Sequence, residues 1–278
     1  MDDADDATET GADPTLAPDV LIAGGGVAGL TAATFTARAG LETLVVDDGE
    51  SILRRNAHLE NVPGFPAGVN AQRFLDLLAE QAGESGAAFL SGRVTDLDAG
   101  GDDEAHAVRV EGADGETVLT APFVVAASWS DASYLEGSGA ALLERGSKTY
   151  VDTDDCGRTA VDGLYAAGRL AAKSHQAAVC AGHGAEAGLA IVEDSDRPFY
   201  QDWVAPEGYF TERGREVPPG CEEIPASEWE RREQVAIDRM REAFAEPHPD
   251  GPTMHPSVVA KRAREGNEAD ESATDAGE

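Results

Sequence analysis

The sequence has few basic residues and almost no lysine, with Lys148, Lys173 and Lys261 as its only lysines. The chain has 21 Lys and Arg residues and 53 Asp and Glu residues, so its formal net charge is −32 at pH 7. A field of that sign repels phosphate backbones and anionic lipid headgroups, so we expect no nucleic-acid partner and no membrane partner. Because the acidic residues are spread along the chain, the composition predicts a halophilic protein, whose self-repulsion is screened by high internal salt. The alternative is a protein for ordinary salt that carries acidic tails.

Cysteine is also scarce, and its spacing excludes several kinds of site. The three cysteines, Cys156, Cys180 and Cys221, form no Cys-x-x-Cys pair, so the sequence offers neither a redox dithiol nor a zinc knuckle, and we expect no bound metal. An odd number of cysteines suits a reducing cytosol. The chain begins with acidic residues in place of the basic start of a signal peptide, and no apolar run approaches the roughly 18 residues that span a bilayer. These absences predict a cytoplasmic protein.

Composition divides the chain into four segments. They are a disordered acidic tail (1–17), an α/β domain (18–193), a C-terminal extension (194–245) and a second disordered tail (246–278). In the extension, the aromatic residues at 199–210 are typical of a domain clasp or of a dimer contact, which leaves a homodimer open. Ser227 and Glu230 predict a capping box at the start of the helix of the extension.

The motif with the clearest chemistry is the glycine-rich turn formed by Gly24, Gly26 and Gly29. It follows an apolar strand predicted over residues 20–23 and opens a helix. Asp47 ends the next strand, close to the roughly 20-residue spacing found in dinucleotide-binding βαβ units. At that position its carboxylate accepts hydrogen bonds from the ribose hydroxyls of an adenosine.

Each residue type at this turn suits the binding of a diphosphate. Gly24 permits the tight turn, Gly26 leaves room for the pyrophosphate, and Gly29 lets the helix approach the strand. The first helical residues, Val27 and Ala28, offer unpaired backbone N–H groups to the phosphates. The motif therefore predicts a site for the ADP half of a dinucleotide, and a bare glycine-rich turn without a ligand is the alternative.

Four stretches of the sequence are specific in combination. They are the glycine-rich unit, Glu60-Asn61-Val62-Pro63-Gly64-Phe65-Pro66, Gly163-Leu164-Tyr165-Ala166-Ala167-Gly168, and His175-Gln176-Ala177 ahead of Ala181-Gly182-His183-Gly184. Together they resemble the FAD domain of the thioredoxin-reductase-like flavoproteins, within the pyridine nucleotide–disulfide oxidoreductases. The resemblance covers about residues 18–193. It implies FAD as the cofactor and an α/β, three-layer domain with a central parallel sheet and a β-meander, to which the C-terminal helical extension is added.

The resemblance also implies roles for individual residues. Asn61 would lie beside the flavin, and Val94 would meet the adenine through its backbone. Gln176 and Ala177 would begin a helix aimed at the N1/O2 edge of the flavin, where the helix end favours the negative charge of reduced flavin. An ordinary Ala- and Gly-rich core helix is the alternative.

Two departures from this family limit the chemistry. Family members carry a second glycine-rich domain for NADPH, inserted after the strand that corresponds to residues 123–127. Here the matching sequence resumes at Thr149, and only residues 128–148 intervene, whereas a nucleotide domain needs at least roughly 50 residues. The redox Cys-x-x-Cys of that domain is absent too. The sequence therefore excludes disulfide reduction by the family route.

Two further departures touch the predicted cofactor site. Where the family has Ala-Thr-Gly, this chain has Ala127-Ser128-Trp129, and where the family has Gly-Asp, it has Gly168-Arg169. The family aspartate accepts hydrogen bonds from the cofactor, which a guanidinium cannot do. Arg169 is instead predicted to pair with the pyrophosphate. The alternative is that Arg169 points to solvent and the site has decayed.

These observations favour an FAD-dependent oxidoreductase without disulfide-reductase chemistry. Its electron donor is unknown and is either a small molecule or a protein. No residue qualifies as a catalytic acid or base. Two other interpretations remain open at this stage: a non-catalytic flavin- or nucleotide-binding scaffold or sensor, and an NAD(P)-binding protein that uses the same turn.

Overall fold

The computed structural model describes residues 17–101, 104–199 and 201–275. The predicted tail at 1–17 lies almost entirely outside these residues. The described strands are β1 (Val20–Ala23), β2 (Thr43–Asp47), β3 (Ala88–Ser91), β4 (Arg93–Asp98), β5 (His106–Gly112), β6 (Gly115–Ala121), β7 (Phe123–Ala126), β8 (Leu142–Arg145), β9 (Lys148–Val151), β10 (Leu164–Ala166), β11 (Trp203–Pro206) and β12 (Cys221–Ile224). The described α-helices are α1 (Val27–Arg38), α2 (Ala71–Glu84), α3 (Ala177–Asp194), α4 (Ala226–Ala243) and α5 (Pro256–Asp275).

A five-stranded parallel sheet in the order β10-β7-β1-β2-β3 forms the centre of the domain. Its inner strands β1 and β7 are apolar over their whole length because both faces of the sheet are covered. In β1, Val20 and Ile22 join the core on the helix side, and Leu21 and Ala23 join the core on the opposite side. The strand thereby contributes to two separate hydrophobic cores.

The two covering layers have different structures. Helices α1, α2 and α3 cover one face, with α1 and α3 in close contact. The other face is covered by the antiparallel meander β4-β5-β6, whose Leu97, Val108 and Leu119 are buried against the sheet. This arrangement confirms the predicted α/β three-layer fold with a central parallel sheet and a β-meander.

The chain between β7 and β9 is short and contains no second nucleotide domain. Residues 128–148 form a single 3₁₀ turn at Ser133–Leu135 and the strand β8, which pairs with β9 as an antiparallel hairpin. Tyr134 and Leu135 from this segment are buried against the meander side of the sheet. The segment therefore contributes side chains to the core of the domain.

The C-terminal extension has more structure than its sequence indicated. Strands β11 and β12 pair in parallel, and the carboxylate of Glu223 accepts hydrogen bonds from the backbone N–H groups of Gly208 (3.0 Å) and Thr211 (2.9 Å). Trp203, Tyr209 and Phe210 pack edge to face within this unit, with ring centroids 4.7–5.6 Å apart.

Helix α4 of the extension lies on the surface and has no buried residue. The predicted capping box is wrong, because α4 begins at Ala226 and the extended backbone of Pro225 takes the N-cap position. Ser227 therefore lies inside the first turn. Residues 256–275, assigned above to a disordered tail, form the helix α5.

Three further properties concern only the described part of the chain. No helix there is long and apolar enough to cross a membrane. No group of three or more His, Cys, Asp or Glu side chains there could hold a metal ion. Its three cysteines are free thiols.

Candidate functional site

The candidate site lies at the carboxyl edge of the parallel sheet, where β1, β2 and β7 end side by side. Gly24 follows β1, Asp47 ends β2, and Ala127 follows β7. In open α/β sheets, ligands bind in the crevice outside this edge. Two neighbouring cavities open here, and Gly26, Ala127 and Trp129 line both of them.

The glycine-rich turn has a geometry that only glycine permits at two of its positions. Gly24 has φ +117°, and its N–H donates to the carbonyl of Val46 (2.8 Å). A Cβ on Gly24 would lie 2.7 Å from the carbonyl oxygen of Ala127. A Cβ on Gly29 would lie 2.0 Å from the carbonyl oxygen of Gly24, so Gly29 lets α1 begin directly against β1.

Gly26 serves a different purpose from the other two glycines. Its backbone is extended, with φ −84° and ψ −177°, a conformation open to any residue, and only Ser51 Oγ, at 3.9 Å, would lie near an added Cβ. The space in front of it is open. It is also the N-cap of α1, and no side chain caps that helix. The first-turn N–H groups, from Val27 to Gly29, therefore face the open space and form a site for an anion.

The first cavity extends from this turn along the end of β2. Asp47 lines it, and Asp47 Oδ1 accepts a hydrogen bond from the N–H of Gly25 (3.0 Å), which fixes the carboxylate at the cavity wall. The cavity continues past Arg93 and the buried Val94. Arg93 is held in turn by Asp48, at 2.6 Å.

The second cavity extends from the same turn to the N-terminus of α3. Its lining includes Val27, Ala28, Arg169, Gln176 and Ala177. Gln176 is the N-cap of α3, and its side-chain oxygen accepts a hydrogen bond from Asn61 Nδ2 (2.7 Å). This hydrogen bond brings the Asn61 loop to the start of the helix, over a sequence separation that no local pattern predicts.

A buried histidine fixes the turn that lies beside the second cavity. Gly168 has φ +66°, and its N–H donates to His183 Nδ1 (3.0 Å). Burial lowers the pKa of His183, and the nearby Lys173 acts in the same direction, so the imidazole stays neutral and can accept this hydrogen bond. A Cβ on Gly168 would lie 2.7 Å from the Cβ of Ala28, so α1 and α3 are packed against this turn.

Arg169 is surrounded by aromatic rings. Its guanidinium carbon lies 5.0 Å from the indole centroid of Trp129 and 5.5 Å from the ring centroid of Tyr150. Arg169 Nη2 donates to the hydroxyl of Tyr150 (3.1 Å), and Arg169 Nη1 lies 3.4 Å from His175 Nδ1. Arg169 Nε is buried and has no hydrogen-bond partner. Such an unpartnered N–H group can still bind a ligand.

The comparisons with known proteins agree with this geometry. Residues 19–59, which include the turn and Asp47, match the family model of an FAD binding domain. The thioredoxin reductase of Aquifex aeolicus (strain VF5) is 37% identical over 114 residues, which are 39% of this chain and 34% of that protein. That of Mycolicibacterium smegmatis is 41% identical over 66 residues, 23% of this chain and 21% of that protein.

The chain therefore contains an FAD-binding domain and is similar to thioredoxin reductases over part of its length. It spans about a third, or less, of the length of the curated relatives it matches. The T. acidophilum thioredoxin reductase structure has a TM-score of 0.57 at 16% identity, and the match covers 64% of this chain and 98% of that one. An oxidoreductase from Agrobacterium tumefaciens has the same TM-score at 18% identity, covering 64% and 98%. At these identities the structural matches show the fold.

The residues of the FAD-binding domain fit the ADP half of FAD. The open space at Gly26 and the uncapped start of α1 suit the two phosphates, and the fixed carboxylate of Asp47 suits the ribose. Val94 lines the same cavity. The guanidinium of Arg169, whose Nε has no partner, adds a positive charge to the second cavity.

The structure brings most of the sequence-predicted residues to this one cleft. Gly24, Gly26, Asp47 and Val94 line the first cavity, and Val27, Ala28, Arg169, Gln176 and Ala177 line the second. Gly29 and Gly168 act through close backbone packing, and Asn61 reaches the second cavity through Gln176. The sequence reasoning missed the contribution of Trp129, His175 and Tyr150 around Arg169. The one sequence signal for this contribution was Trp129, which stands where the family has glycine.

Proposed function

We propose that the chain is an FAD-dependent oxidoreductase of the thioredoxin-reductase-like group that acts in the cytoplasm without a dithiol and takes its electrons from a donor outside the described chain. One observation carries this proposal. The segment between β7 and β9, residues 128–148, consists of a 3₁₀ turn and one hairpin strand, and it places Tyr134 and Leu135 in the core. It is far shorter than the roughly 50 residues that a second nucleotide-binding domain needs.

The chain's own residues divide the work of holding the cofactor. The first-turn N–H groups of α1 bind the phosphates and Asp47 binds the adenosine ribose. Val94 meets the adenine through its backbone, and Arg169 pairs with the pyrophosphate. Asn61, Gln176 and Ala177 position the flavin. When bound, the flavin supplies the electron-transfer chemistry.

The electrostatics of the second cavity favour reduced flavin. Helix α3 has 18 residues, and its N-terminus lacks a side-chain cap, so its partial positive charge faces the cavity. Asn61 and Gln176 are neutral and cannot serve as acid or base near pH 7. Cys180 lines the cavity as a single thiol, and burial raises its pKa. These groups position and stabilise the flavin, and the electrons must come from elsewhere.

We expect the flavin to be reduced slowly, or not at all, by NADPH or NADH alone, and quickly by a reduced ferredoxin-type or flavin donor. The physical reason is that no nicotinamide site holds the hydride donor against the flavin. Anaerobic stopped-flow mixing that follows bleaching of the flavin absorption band measures both rates on the same preparation. The cofactor is identified beforehand by acid release and chromatography.

Three results would contradict this proposal. Fast bleaching by NADPH alone would mean that a nicotinamide site exists on this chain. Release of NAD(P) in place of FAD, or failure of every donor class with FAD bound, would favour a nucleotide-binding scaffold instead of an enzyme.

We further propose that the protein works at high salt. With a net charge of −32, the folded chain is destabilised by self-repulsion unless ions screen it. We expect cooperative loss of helical circular dichroism in dilute buffer and recovery in molar KCl. Glycerol at matched osmolarity serves as a control for effects other than screening. A fold that is equally stable in dilute buffer and in molar KCl would contradict this proposal.

A further inference from the structure

Trp129 stands at the boundary between the two cavities of the cleft. It lines both cavities. Its indole makes an edge-on contact with His175, with ring centroids 5.8 Å apart and ring planes at 84°, and it lies against the guanidinium of Arg169. Because His175 and Arg169 both line the second cavity, the indole projects toward that cavity.

The backbone of Trp129 is strained in this position. Its φ of +61° lies in the left-handed region, which a bulky side chain rarely adopts. Among the described residues, the only other non-glycine residue with positive φ is Ala172. Such strain persists only where surrounding contacts hold the residue in place. Here the contacts with Arg169 and His175 keep Trp129 in the strained conformation.

We propose that Trp129 is a specificity-determining residue, which must move to admit the part of a dinucleotide that lies beyond the pyrophosphate. This inference rests on the FAD-binding function proposed above. ADP needs only the first cavity and the start of α1, and it can enter while the indole stays in place. The ribityl chain and flavin must enter the second cavity, past the indole.

Arg169 links the arrival of the phosphates to the movement of the indole. A pyrophosphate at the start of α1 attracts the guanidinium, whose Nε has no partner. Once Arg169 turns toward the phosphates, the indole loses the cation that lies over it. The strained backbone then favours release of Trp129 from the boundary.

The test compares FAD with ADP on the full-length apoprotein and on its Trp129→Gly variant. Glycine adopts φ +61° without strain and removes the indole. If the open arrangement is about a tenth of the population in the parent chain, the variant should bind FAD about tenfold more tightly. The FAD association rate should rise with it, and the ADP affinity should stay within about twofold. Calorimetric titration gives the affinities, and stopped-flow flavin fluorescence gives the rates.

Two further variants separate the indole from the strain. Trp129→Ala removes the indole but keeps a side chain at the strained position, and it should raise the FAD-to-ADP affinity ratio as well. Ala172→Gly relieves the other left-handed residue and takes nothing from the cleft, so the ratio should not change.

Three outcomes would overturn the inference. An unchanged ratio in both Trp129 variants would show that the indole is no barrier. Weaker FAD binding would show that it is a cofactor contact instead. If the parent chain and the variants bind ADP but none binds FAD, the proposed function fails together with the inference.

Discussion

Replacing Gly184 with alanine should destabilise the chain severely, whereas Gly182→Ala in the same helix should leave it slightly more stable. A Cβ on Gly184 would lie 2.2 Å from the carbonyl oxygen of Ala28 and 3.0 Å from its Cα. These are backbone atoms of α1, so the clash can be relieved only by moving two helices apart. Overpacking typically costs about 1–3 kcal/mol of unfolding free energy and occasionally more, and a clash with backbone atoms belongs at the upper end.

Gly182 provides the matched control for this prediction. Nothing lies within 4 Å of a Cβ added there, and the residue is in the interior of α3. Alanine in place of glycine in a helix stabilises by about 0.5–1 kcal/mol. Denaturant titrations in high KCl, followed by circular dichroism, measure both free energies. Equal stabilities for the two variants would show that α1 and α3 are not packed as closely as the structure has them.

The close contact at Gly184 also bears on the binding site. Ala28 belongs to the first turn of α1, whose N–H groups face the cleft. A displaced α1 would therefore bind phosphates poorly even where the fold survives. Measuring FAD affinity for any folded Gly184→Ala protein checks this connection.

The central part of the fold could be predicted from the sequence because several local patterns occur close together there. An apolar strand, a glycine turn and an acidic residue at the next strand end occur within Val20–Asp47, and all three depend on near neighbours. The edge strand β3 was missed because its four residues are too short a run for their pattern to distinguish a strand from other structure. Strands β11 and β12 also have four residues each and were missed for the same reason.

The environment of Arg169 could not be predicted because it is assembled from distant segments. Trp129 follows β7, Tyr150 belongs to β9, and His175 precedes α3. No spacing rule connects these positions, and only the sheet brings them together. The departure of Trp129 from the family glycine did mark the place where the structure differs. In the fold, the glycine-type backbone conformation is kept although the residue is tryptophan.

Gly26→Asp should abolish FAD binding while leaving the folded apoprotein at least as stable as the parent chain. Gly26 is an uncapped N-cap with an extended backbone that aspartate readily adopts, and open space lies in front of it. At an N-cap, the aspartate accepts hydrogen bonds from the first-turn N–H groups and complements the helix dipole, which adds about 0.3–1 kcal/mol of stability. The same carboxylate occupies the N–H donors that would bind the phosphates of FAD, and its negative charge repels those phosphates.

The two effects of Gly26→Asp are measured on one protein and have opposite directions. We expect the FAD dissociation constant to rise at least about 100-fold, equivalent to about 2.7 kcal/mol of binding free energy. The midpoint of thermal unfolding of the apoprotein should be unchanged or higher. Gly26→Ser is the uncharged control, because it caps the helix without a negative charge and should weaken binding to a smaller degree. If Gly26→Asp retained FAD within about twofold of the parent affinity, the phosphates could not lie at the start of α1, since a carboxylate and a pyrophosphate cannot share those few N–H groups.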